Sequence, residues 1–291
     1  GGNTLFARQK HLTVAGVCAV LITILFIASV WNIFISSDDS ISNYIYSRLT
    51  DSSFSWKQTF DFQLMRGRVG VVFPLVIMLR DSVFRSGNLI AVRIMQFAPV
   101  VINVYAAAFF IGKKTRIETG LLFVILFFSM LQVTGWHNLV ICYPLDFMYG
   151  LFLAQTALFL FADYVNSPKT SFIKMFLICL LFYESLQVYE AFLLFVPAYV
   201  WVCLRANKRP SKTIKKVLPV LAVSAVYIVV GLALRIHPVV EVPDGYINTF
   251  GTVGRFLPTL AIFSLGLMPM SSVVFPSVRE GLSFSNINLR I

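Results

Sequence analysis

Apolar runs of roughly the length needed to cross about 30 Å of hydrocarbon recur along this chain, and they decide what it can fold into. They cover residues 14–35, 89–111, 117–133, 147–165, 172–204, 217–234 and 257–274. Inside a bilayer no water satisfies the peptide groups, so each run must hydrogen-bond internally as a helix. The expected fold is all-α: a polytopic transmembrane helical bundle, one domain over residues 1–291, without an internal repeat or a second soluble domain. With 58% hydrophobic and 13% charged residues the chain is too apolar for an ordinary water-soluble domain. Gly1 and Gly2 stand where a Met is usual and read as a cloning scar. The run 14–35 is too long for a removed signal peptide and lacks its small-residue cleavage pattern, so it is expected to stay as the first span.

The net charge of +11 lies mostly in short clusters between the runs, where it reports membrane orientation rather than nucleic-acid binding. Arg8 and Lys10, Lys113 to Arg116, Lys169 with Lys174, and the group Arg205 to Lys216 are all expected on the cytoplasmic side. Both ends of residues 172–204 then share one side, so that stretch is expected to be a helical hairpin with its tip near "YESLQVYE". The four cysteines sit in apolar runs without metal or disulfide spacing, and His11, His137 and His237 are too scattered for a zinc cluster.

On this map residues 36–88 form a long outer loop. It opens with "SSDDS", placing Asp38 and Asp39 where the chain leaves the first span. It ends with "VGVVFPLVIML", a run too short to span and interrupted by Pro74. That run is expected to lie in the interface as a helix, with Arg66, Arg68, Arg80 and Arg85 snorkelling to headgroups.

The acid pair has two readings. One of the two caps an interfacial helix, or the pair supplies a general base or shares a divalent cation, Mg or Mn, with a phosphate-bearing ligand. "RGR", residues 66–68, either snorkels or offers two guanidinium forks to a phosphate. Glu184 and Glu190 are functional candidates if they lie within the membrane and a solvated turn if they lie at its surface. Trp136 and His137 of "GWHN" suit a sugar, by stacking and hydrogen bonding, or an aromatic belt. Asp146 either lines the same outer cavity or caps the fourth span.

"SDD" (37–39), the "GR" of Gly67 and Arg68, and the "YE" of Tyr189 and Glu190 together resemble the GT-C class of integral-membrane glycosyltransferases, most closely the bacterial and phage O-antigen glucosyltransferase (Gtr-type) family. The likeness runs over roughly the first 200 residues and lies in the order and placing of short motifs. The chain departs from that pattern in having fewer spans and a less basic stretch, "SISNY", after the acids. The resemblance implies transfer of a sugar, with glucose expected, from a polyprenyl-phosphate donor to a glycan or lipopolysaccharide acceptor on the outer face of a bacterial inner membrane. Asp38 or Asp39 would deprotonate the acceptor hydroxyl, with inversion at the sugar carbon. Arg66 and Arg68, with Lys57 in support, would neutralise the departing phosphate. Trp136, His137, Glu184, Tyr189 and Glu190 would face the sugar or acceptor. The rival readings are a lipid-linked-sugar flippase or transporter and a non-catalytic subunit of a glycan-assembly complex.

Overall fold

The computed structural model of the chain describes residues 16–17, 20–21, 23–25, 28, 56–65, 67–115, 117–130, 145–167, 171–206 and 210–236. Every element among them is helical: α1 (Trp56–Met65), α2 (Phe73–Ser86), α3 (Leu89–Thr115), α4 (Thr119–Met130), α5 (Asp146–Asn166), α6 (Phe172–Val188), a 3-10 segment (Glu190–Phe195), α7 (Val196–Ala206) and α8 (Pro210–Ile236). Among the described residues three stretches are long and apolar enough to cross a membrane: Leu89–Lys113, Asp146–Asn166 and Lys215–Leu234. Those three agree with the apolar runs read from the sequence. The expected span 117–133 is described as a helix only over Thr119–Met130, and the run 257–274 lies outside the described residues.

The described residues fall into two compact units, one within 1–37, 104–142 and 242–291, the other within 38–103 and 143–241. In the first, Phe123 and Phe127 stack one turn apart along α4, and the α3–α4 turn is tight. A methyl group on Gly112 would stand 2.9 Å from the Ile117 carbonyl oxygen, so only glycine fits there.

The second unit is built around α5 packed on α6. Small residues make this approach possible: Ala154 and Ala157 are fully buried, and a Cβ on Gly150 would stand 2.5 Å from Phe192 and 2.9 Å from Val188. Helices in lipid gain most of their association from such close packing. Phe161 and Phe182 both place their rings against Tyr199, at 5.0 and 5.1 Å between centroids. A continuous helix from Phe182 to Tyr199 would separate them by about 25 Å. The chain therefore reverses between them, at the 3-10 segment that begins with Glu190.

Asn103 and Gln155 find hydrogen-bond partners across two of the spans. Pro99 interrupts the hydrogen-bond ladder of α3, and one turn later Asn103 Nδ2 donates to the Pro99 carbonyl at 2.7 Å and to the Met148 carbonyl at 2.9 Å. Gln155 Nε2 in turn donates to Asn103 Oδ1 at 2.9 Å, tying α3 to α5. The Tyr199 hydroxyl, by contrast, is buried without a hydrogen-bond partner. Such a group costs about 1–3 kcal/mol. Tyr199→Phe is accordingly expected to raise stability by about 1 kcal/mol in detergent unfolding, because the ring contacts are kept and only the orphan hydroxyl is lost.

The two ends of this unit differ in chemistry. One end gathers Lys174, Arg205, Lys215 and Lys216, the last donating to the Val165 carbonyl at 2.9 Å and Arg205 lying 5.5 Å from the Trp201 ring. The other end holds the start of α5, the tip of α6 and the α1–α2 connection, where Asp146, Glu184 and Glu190 collect.

Candidate functional site

The connection between α1 and α2 is set by a glycine. Gly67 has φ 74°, donates to the Leu64 carbonyl, and lets Arg68 N–H reach back to the Gln63 carbonyl, each at 2.9 Å. This is a Schellman C-cap, in which the residue after the helix must be left-handed. The "RGR" string thus ends a helix and turns Arg68 away from it; Arg66 lies outside the described residues.

The chain after Gly67 docks on the tip of α6. Val69 N–H donates to Gln187 Oε1 at 2.5 Å, and the Tyr183 hydroxyl donates to the Val69 carbonyl at 3.4 Å. Gly70 is in close contact, since a Cβ there would stand 2.7 Å from Gln187 Cβ. The Glu184 carboxylate accepts the backbone N–H groups of Val71 and Val72 at the start of α2, a helix that has no side-chain cap of its own. Arg68 Nη2 completes the joint with a 2.9 Å ion pair to Glu190 Oε2.

A second polar group stands beside it. Arg80 of α2 pairs with the Asp146 carboxylate and lies 3.4 Å from Asp81 Oδ1. Asp146 is the first residue of α5, where its charge complements the helix dipole. It follows Leu145, which has a positive φ of 74°, a sparsely populated backbone state for a branched side chain. Next to Asp146, Phe147 packs against Tyr189 and Phe192 at 5.8 and 5.1 Å, which connects the two polar groups through one aromatic contact.

Several expectations are corrected here. Arg68 and Arg80 do not snorkel outward; both are buried and ion-paired, because carboxylates on distant segments meet them. Glu184 is not part of a solvated turn: it is buried and takes backbone donors. Asp146, the first residue of α5, pairs with Arg80. Lys57 is exposed in the first turn of α1, about 12 Å of helix rise from Met65 and so away from Arg68. Asp38, Asp39, Trp136 and His137 lie outside the described residues. Gln187, which anchors Val69, was missed: a lone glutamine in an apolar helix gives no local sign of a partner 118 residues away.

Burial holds the Asp81 carboxyl above its ordinary value of 3.8, outweighing the attraction of Arg80, while the charge of Asp146 adds to the rise. The folded state then binds this proton more tightly than the unfolded one, so the associated stability is full below 3.8 and is lost as pH rises through the raised value. Asp81→Asn should flatten this slope. Unfolding of wild type and variant between about pH 4 and 7 should show the variant gaining on the wild type as pH rises.

Among the described residues no three His, Cys, Asp or Glu side chains gather as a metal site. The chemistry on offer is instead a buried guanidinium held at a membrane-proximal end, with carboxylate, amide and aromatic groups around it. No family model, no curated protein and no solved structure matches the chain.

Proposed function

We propose that the chain is a GT-C-type membrane glycosyltransferase, moving a sugar, with glucose expected, from a polyprenyl-phosphate donor to a cell-surface glycan such as O-antigen at the outer face of a bacterial inner membrane. The observation that carries this reading is the ion pair of Arg68 with Glu190 across 122 residues, beside Tyr189, with the neighbouring Val69 N–H held by Gln187. By the positive-inside rule the end with Lys174, Arg205, Lys215 and Lys216 faces the cytoplasm, and Arg68 then faces the other side. A donor with a long lipid tail keeps its phosphate at that interface. A buried guanidinium is suited to a phosphate leaving group, whose negative charge grows in the transition state. Asp38 or Asp39, at the start of the same loop, takes the proton of the acceptor hydroxyl.

The ionisable groups speak against a transporter, which places them near the membrane midplane between repeats. Here Arg68, Asp146 and Glu190 belong to a loop or to helix ends, and Arg80 to α2, a helix too short to cross the membrane. The test is the choice of donor. Purified protein should move labelled sugar from polyprenyl-phosphate-glucose to a lipid-linked glycan and leave a nucleotide sugar unused. Transfer from the nucleotide sugar alone, or movement of intact donor across a vesicle without transfer, would remove the proposal. Maleimide labelling of Ser40→Cys from the outside only is expected for the orientation; labelling only from the cytosolic side would reverse it.

A further inference from the structure

The two arginines at this end of the bundle are paired in different ways, and the difference points to a task for Glu190. Arg80 and its partner Asp146 are both buried, with side chains 7% and 14% exposed, so neither can leave without stranding a charge. In the other pair only the cation is trapped: the Arg68 side chain is 9% exposed and that of Glu190 47%. Glu190, already half in solvent, therefore loses less on leaving its partner than Asp146 would, whereas Arg68 is fixed by the Schellman turn behind it and the Gln187 anchor of Val69 ahead of it. Arg68 also has capacity to spare, because its Nε is buried with no hydrogen-bond partner. A guanidinium presents Nε and Nη as a fork that matches two oxygens of one phosphate group. Glu190 Oε2 meets the fork at Nη2.

We infer that Glu190 is an exchangeable counter-anion: it occupies Arg68 in the resting protein and is displaced when the phosphate oxygens of a lipid phosphate take the whole guanidinium fork. This rests on the proposed function for the identity of the ligand, but not for the exchange itself. Glu190 is a positioning residue in this scheme. It keeps a buried cation neutralised between turnovers and lowers apparent phosphate affinity by the fraction of time it holds Arg68, which favours release of the polyprenyl phosphate product.

The exchange is tested by calorimetric titration of the full chain in detergent with farnesyl phosphate as the probe and inorganic phosphate as the comparison. Glu190→Gln should bind farnesyl phosphate roughly five- to ten-fold more tightly than wild type. Arg68→Gln should lose binding, and adding Glu190→Gln to it should restore nothing. A merely structural Glu190 predicts the opposite: unchanged or weaker binding in Glu190→Gln, which would overturn the inference. Glu190→Asp, which keeps the charge and shortens the reach, should gain affinity to a smaller extent and serves if the glutamine variant does not fold. An equal gain for inorganic phosphate would support the exchange and assign the site to the free anion. The two ideas fail separately. Tighter binding without sugar transfer by any form of the protein keeps the exchange and removes the transferase reading; transfer by wild type with no gain in Glu190→Gln does the reverse.

Discussion

Arg80→Leu should destabilise the protein by about 3–5 kcal/mol, the largest stability loss expected of any substitution considered. The guanidinium lies between Asp81 and Asp146, all three buried or nearly so. Removing the cation leaves two carboxylates facing each other in a poor dielectric, and the surviving acids, rather than a lost contact, carry the cost. Removing the acids as well should rescue the fold. Arg80→Leu combined with Asp81→Asn and Asp146→Asn removes all the charges together and should recover most of the loss, since replacing a complete buried ion group by uncharged residues is often near neutral. Urea unfolding of the single and triple variants checks this. Equal loss in both would mean that packing around the Arg80 stem, including its approach to the Phe84 ring at 6.0 Å, sets the stability.

Arg68→Gln should behave in the contrary manner, with little change in folding and a fall in sugar transfer of about 10²–10³-fold. Its counter-ion Glu190 is half exposed and is rehydrated when the cation goes, so no buried charge is stranded. On the proposed function the loss is large because Arg68 would be a preorganised donor aimed at charge that develops only in the transition state. Arg68→Lys keeps the charge but not the fork, and should recover only part of the rate. Transfer rates for the three proteins, normalised to folded protein, measure this. Equal loss of folding and transfer in Arg68→Gln would make the residue a structural tie between the α1–α2 connection and α6.

Comparison of these two residues shows what the sequence could and could not reveal. The membrane-crossing stretches of α3, α5 and α8 were legible because each needs a long uninterrupted apolar run, which is a local property. The Gly67 cap was also legible in principle, as a glycine directly after a helical segment. The pairing of Arg68 and Arg80 was not. Their partners lie 122 and 66 residues away, and an arginine in an interfacial segment looks the same whether it snorkels or is buried. Glu184 was misjudged for a related reason: its role is to cap a different helix, through Val71 and Val72, and periodicity within α6 carries no sign of that.

The most direct measurement on the proposed activity is sugar transfer in proteoliposomes holding polyprenyl-phosphate-glucose, with wild type and Asp39→Asn compared at equal amounts of inserted protein. The account predicts transfer by the wild type at the outer face and a loss of about 10²–10⁴-fold in the variant, as expected when a general base is removed. Transfer that is unchanged in Asp39→Asn, or a wild type that transfers nothing while remaining folded and inserted, would contradict it.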